Sequence, residues 1–292
     1  MPVNRFFKLC TAVILTLTLA ACSSNRMAYR YADWGIVWWV EDYITLTSEQ
    51  REQLASDIES FRQWHCSSEL PRYQAWLEGF MVDLDEQDMQ YQTVALHQQD
   101  LFSLFPPLLD RVVPIATNLL SSLSDQQVRE LARNMEDNQQ EYREKYLEDS
   151  ASDTIEARAE RAEERIERWF GELNREQRTV VKQWAENRGR QTEVWLQGRR
   201  NWQKALLAAL ERRNEPGFSD DVALLIKQSE QVRGAEYQAM MEDGRAALTT
   251  LLHDLMETSD PEHLAHLQQQ ANGLDGDLEA LTCSPSSEVA SG

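Results

Sequence analysis

Catalytic and metal-binding chemistry has little to draw on in this sequence. Its 292 residues include five histidines and four cysteines, and it contains no H-E-x-x-H, G-x-S-x-G, P-loop or G-x-G-x-x-G pattern. Glycine and proline are scarce at 11 and 8, and no run alternates β-branched with polar residues. That excludes a sheet-based fold and leaves helix formers almost throughout. Positive charge is in deficit: 29 Lys and Arg against 49 Asp and Glu give −20, a balance that repels nucleic acid and anionic lipid. No apolar run reaches the roughly 18 residues of a membrane-spanning helix.

The chain nevertheless opens with a membrane-directed segment. Arg5 and Lys8 precede the largely apolar stretch Leu9–Leu19, 11 residues long, and small residues close it. This is the pattern of a signal peptide, residues 1–21. The closing Leu19-Ala20-Ala21-Cys22 resembles the lipobox of bacterial lipoproteins, which implies cleavage before Cys22 and acylation of that residue. Ser23 follows in place of the aspartate that often retains such proteins at the inner membrane, so the resemblance implies the periplasmic face of the outer membrane. Acyl chains contribute about 0.8 kcal/mol per buried CH₂ and hold a protein without a transmembrane helix. On this reading residues 22–28 are a lipidated tether, 29–283 a helical domain and 284–292 a disordered Ser-rich tail. The mature charge is 27 − 49 = −22, since Arg5 and Lys8 leave with the signal.

Cys10 leaves with the signal and Cys22 takes the lipid, so Cys66 and Cys283 are expected to pair in an oxidising periplasm. The alternative is two separate buried thiols.

Periodicity marks the helices. Leu54, Ile58, Phe61 and Trp64 share a face, as do Tyr73, Leu77, Phe80 and Leu84. Residues 91–121 read as a helix broken near Pro106-Pro107 and again near Pro114. The longest element is expected to run from about Arg175 to Arg213. After a turn at Glu215-Pro216-Gly217, Ser219 is placed to cap a helix reaching Leu255. In the last helix Leu264, Leu267, Ala271, Leu274, Leu278 and Leu281 follow a 3-4-3-4-3 spacing, the seam of lengthwise packing. The fold class is all-α, an elongated bundle of about seven to nine long antiparallel helices.

A phrase recurs at Leu46-Thr47-Ser48-Glu49-Gln50, Leu123-Ser124-Asp125-Gln126-Gln127 and Leu173-Asn174-Arg175-Glu176-Gln177. A Thr, Ser or Asn three residues before a Gln makes a reciprocal helix cap. The phrase also resembles the Leu-Thr-x-x-Gln motif of small periplasmic stress chaperones. Over a longer reach, Asp33-Trp34, Trp38-Trp39-Val40-Glu41-Asp42-Tyr43, Trp64-His65-Cys66, Glu69-Leu70-Pro71-Arg72-Tyr73 and Glu141-Tyr142-Arg143-Glu144-Lys145-Tyr146 together resemble a family of uncharacterised lipoproteins of Gram-negative bacteria, classed as a domain of unknown function. The resemblance implies an α-helical, lipid-anchored envelope protein with no catalytic residues to carry over.

Three features bear on ligands. His263 and His266, with Glu262 and His253 near, are the best metal candidates, yet no Glu-x-x-His pair exists for the site that helical bundles use; no metal and no cofactor are expected. Tyr29, Tyr31, Trp34, Trp38, Trp39 and Tyr43 follow the lipidation site, where aromatic residues suit a membrane interface. Tyr31, Trp34 and Trp38 also form a helical stripe, and docking of that stripe onto the bundle is the favoured reading. Finally, Arg178–Arg213 holds nine basic residues against three Glu. Trp184, Arg188, Gln191, Trp195, Arg199 and Trp202 form a stripe on it, with Gly198 where a large apolar residue is expected. That face either pairs with the acids of Met135–Glu167 or builds a groove for an anionic lipid headgroup or glycan. The sequence thus points to a non-enzymatic envelope protein, attached to the membrane through Cys22 and serving in binding, scaffolding or chaperone-like assistance, with an envelope protein as partner, or else carrying an anionic lipid or glycan.

Overall fold

A computed structural model describes residues 23–147 and 151–283. The described residues are helical almost throughout and contain no strand. In chain order the helices are α1 (Ser23–Arg30), α2 (Ala32–Glu41), α3 (Ser48–Trp64), α4 (Leu70–Asp85), α5 (Tyr91–Ser103), α6 (Phe105–Ser121), α7 (Asp125–Leu147), α8 (Ala151–Phe170), α9 (Arg175–Glu186), α10 (Gln191–Leu210), α11 (Phe218–Lys227), α12 (Ser229–Arg233), α13 (Ala235–Glu257) and α14 (Pro261–Leu281). The signal segment, Cys22 and the Ser-rich tail lie outside the described residues, and the segment read as a tether is helical from Ser23.

The chain is divided more finely than the sequence suggests. At Gly189 the backbone adopts φ 42°, a left-handed conformation that glycine enters without a Cβ penalty, and the expected long basic helix becomes α9 and α10. Gly217 (φ 96°), not Ser219, stands at the start of α11, and Gly234 (φ 111°) separates α12 from α13. Proline acts in the opposite direction. Pro106 and Pro107 sit in the first turn of α6, where a missing N–H costs little, and Pro114 lies inside α6 without ending it. Helices α3 and α4 are continuous through a π-turn at His65–Glu69.

Two apolar cores result. The first gathers Val37, Leu54, Ile58, Leu131, Met135, Leu206, Leu210, Phe218, Val222 and Leu225 from α2, α3, α7, α10 and α11, and α6 packs on it through Ile115, Ala116 and Leu119. The second gathers Leu84, Phe170, Val181, Leu251, Leu255 and Leu267 from α4, α8, α9, α13 and α14. Only two of the six seam residues of α14, Leu267 and Ala271, are buried, along with His263 and Asp277, while Leu264, Leu274, Leu278 and Leu281 are partly exposed.

Cys66, fully buried in the π-turn, is disulfide-bonded to Cys283 across 217 residues of sequence, and the Cys283 N–H donates to the Cys66 carbonyl at 3.1 Å. The bond fastens the end of α14 to the α3–α4 junction. Helix α1 joins the same region: Arg26 pairs with the buried carboxylate of Asp277 at 2.7 Å, and Tyr29 Oη lies 3.0 Å from His65 Nδ1.

Candidate functional site

The recurring phrase resolves as capping. Thr47 N–H donates to Gln50 Oε1 (3.0 Å) and Gln50 N–H to Thr47 Oγ1 (3.2 Å), and Ser124/Gln127 and Asn174/Gln177 repeat the exchange. Each glutamine then uses Nε2 to hold a second segment: Gln50 donates to the Ser122 carbonyl, Gln127 to that of Thr45 and Gln177 to that of Leu255. Gln50 and Gln127 also bond each other. An open polar recess of about 610 Å³ surrounds that pair, but its amides are already satisfied.

The histidines are likewise committed. His263 donates Nε2–H to the Glu172 carbonyl and accepts the Asp260 N–H at Nδ1, and His266 Nε2 lies 3.4 Å from the Arg168 carbonyl. No group of three or more His, Cys, Asp or Glu among the described residues is placed to hold a metal ion.

The basic stretch divides as its charges do. Arg178 pairs with Glu163 and Glu167 of α8, Arg200 with Glu136 of α7, Arg212 with Asp221 and Arg213 with Asp125. The contacts of Arg178 and Arg200 are the ion pairing expected with the acids of Met135–Glu167, whereas Arg212 and Arg213 pair outside that segment. Arg188 and Arg199 behave differently, since neither has a carboxylate partner among the described residues. Arg188 lies over the Trp184 ring at 5.8 Å, and Arg199 over Tyr142 at 4.8 Å, with the Trp195 ring 5.9 Å away. Both Nε atoms, and Trp184 Nε1, are buried without a hydrogen-bond partner.

The six-residue stripe does not survive as one surface, because the Gly189 turn separates its halves. Trp184 packs onto the second core, and Arg188 and Gln191 fall at the turn. Trp195, Arg199 and Trp202 instead line a cavity of about 460 Å³ in the first core, within the roughly 300–1,000 Å³ of small-ligand sites. Its walls are Val112, Ile115, Ala116 and Leu119 of α6, Leu131 and Met135 of α7, Leu206 of α10, Val222 and Leu225 of α11, and Ile36, Trp39 and Val40 of α2. The lining is overwhelmingly apolar, with Arg199, Arg233 and Gln203 as the long polar side chains.

Arg199 and Arg233 are held by aromatic faces, which position a guanidinium while leaving donors for another partner. Arg199 donates Nη2–H to Asn138 Oδ1. Arg233 lies over Tyr237 at 5.1 Å and Trp202 at 6.0 Å, and its Nε–H donates to Ser229 Oγ at 3.1 Å. Trp202 is fixed by its own N–H, which donates to the Leu225 carbonyl at 2.8 Å. Gly198 earns its place in the stripe by proximity: a Cβ there would stand 2.4 Å from the Tyr237 ring, so a larger residue would displace the tyrosine beneath Arg233. Sequence reading missed Arg233 and the α6 wall, since a lone arginine after a short helix and aliphatic residues between prolines carry no chemical signature.

Residues 42–238 match the family of unknown function DUF6279. The chain belongs to that family. The matched span contains Arg199, Arg233 and every cavity wall except the α2 residues, whereas Leu251, Leu255 and Leu267 of the second core and Cys283 lie beyond it. No curated protein and no solved structure matches the chain.

Proposed function

We propose that this member of the DUF6279 family is a non-enzymatic binding protein of the bacterial envelope, anchored through acylated Cys22 to the periplasmic face of the outer membrane, whose first-core cavity holds an anionic amphiphile. The observation that carries the reading is the cavity's chemistry: apolar walls around about 460 Å³, with two arginines that lack carboxylate partners among the described residues and rest on aromatic rings. An acyl chain removes its apolar surface from water at about 25 cal/mol per Å², and an acidic head group meets the guanidiniums. The apolar lining favours a lipid over a glycan, which would leave its hydroxyls unpaired against Leu and Ile. The Cys66–Cys283 bond suits the oxidising compartment that this location requires.

The test is titration of the purified full-length protein with parinarate, a fluorescent fatty acid anion. Saturable binding is expected, and Arg199→Gln or Arg233→Gln should each weaken it about tenfold, equivalent to about 1.4 kcal/mol. Absence of saturable binding, or wild-type affinity in both variants, would overturn the reading.

A further inference from the structure

Helix α2 has two opposed apolar faces. One carries Ile36, Trp39 and Val40 along the rim of the cavity, where Ile36 and Trp39 remain 42 and 58% exposed. The other, continued back through α1, carries Met27, Tyr31, Trp34 and Trp38, which are 56, 60, 69 and 58% exposed. Trp34 and Trp38, four residues apart within α2, lie on one side of it, and Met27 and Tyr31 precede them across the bend at Tyr31 (φ −108°, ψ 21°). Large aromatic groups turned to water in a row mark a surface that something covers.

Three observations say what covers it. Cys22 is bonded directly to Ser23, the first residue of α1, and Met27 stands only about 6 Å further along the axis at 1.5 Å per residue. The stripe therefore begins next to the membrane attachment. Its composition is two Trp, a Tyr and a Met, and indole and phenol groups favour the headgroup level, where one end is apolar and the other wet. A dry seam against a second copy would instead bury the indole N–H groups unpaired. Finally, α1 is fixed: the Arg26–Asp277 ion pair and the Tyr29–His65 contact hold its inner side to the bundle, so the stripe is held outward.

We infer that the Met27–Tyr31–Trp34–Trp38 face docks into the interfacial layer of a phospholipid bilayer, seating the bundle against the membrane that anchors it. The inference rests on the anchor in the proposed function and not on the cavity's ligand. Burial of about 5–10 Å into the headgroup boundary is the depth at which such faces settle.

The test reconstitutes the mature acylated protein, beginning at Cys22, into zwitterionic phosphatidylcholine vesicles whose acyl chains carry bromine just below the headgroups. Tryptophan emission should be quenched in the wild type, and quenching should fall at least about twofold in W34Q/W38Q, since interfacial contact is made by those two indoles. Both positions are exposed, so the double variant should melt with the wild type. Flotation of the wild type without bromine quenching overturns the docking face and leaves the anchor standing. Failure to float overturns both. Quenching unchanged in the double variant also overturns it, as does a detergent-stable dimer that dissociates on W34Q/W38Q, which would assign the face to a second copy.

Discussion

In the second core Val181 and Leu255 lose all solvent exposure beneath α4, α8 and α14; the first core buries Leu210 as completely but also borders a half-open pocket of about 460 Å³ beside Leu131, Met135, Leu206 and Val222. A wall atom facing a gap forfeits dispersion contacts that a closed core would supply. The difference teaches where an occupant would add stability, since only an incomplete core gains neighbours by binding one.

Truncation should expose the contrast most strongly. Leu255→Ala, at a site with no room to collapse, is expected to cost about 3–5 kcal/mol in urea unfolding, while Leu206→Ala on the cavity wall should cost about 2 kcal/mol. Equal losses would break the comparison. Next in size is the link between the terminal helix and the α3–α4 junction: Cys66→Ser should lower stability by about 2–4 kcal/mol. Cys283→Ser should match it, because the two remove one bond, and reduction of the wild type should reproduce both.

Filling tests the same contrast in reverse. Ala116→Leu adds carbon to the cavity wall, so it should raise stability by about 1 kcal/mol and abolish parinarate binding, whereas Ala185→Leu at a fully buried position of α9 should cost about 1–3 kcal/mol. If both substitutions destabilise, the first core is closed in solution.

The smallest effect is expected at the junction. Burial among Phe61, Tyr29 and Tyr73 pushes the His65 pKa below its ordinary value, with Glu69 opposing. The fold therefore holds His65 neutral, and its contribution is fully present above the unfolded value near 6.5 and is lost as pH falls through the folded pKa. Tyr73, whose pKa burial and the Glu69 charge push up to about 12, keeps its hydroxyl proton throughout. Unfolding midpoints compared at pH 7.5 and 5.5 should drop in acid, and His65→Gln should flatten the slope.

Local chemistry made part of this legible in sequence. Helix formers declared the fold class, and Thr47/Gln50, Ser124/Gln127 and Asn174/Gln177 declared helix starts, because a cap is satisfied within four residues. The cystine followed from counting thiols. The break at Gly189 did not, since Trp184, Arg188 and Trp195 keep helical spacing across it and only the φ of one glycine interrupts the hydrogen bonds. The spacing of Tyr31, Trp34 and Trp38 suggests docking on the bundle because aromatic stripes usually pack inward; Val37 and Ile44 supply that packing instead, leaving the larger side chains outside. The cavity depends on how closely α2, α6 and α11 approach α10, a tertiary distance that no residue pattern encodes.

The Cys66–Cys283 bond also makes most of the chain a covalent ring. One peptide-bond cut anywhere within those 217 residues opens the ring without releasing a piece. A protease clipping the turn at Gly189 would leave two fragments joined by sulfur, both still attached to the amino-terminal segment. Such damage would be invisible to a size measurement until a reductant was added, and a protein so built can be nicked and yet keep its pieces together.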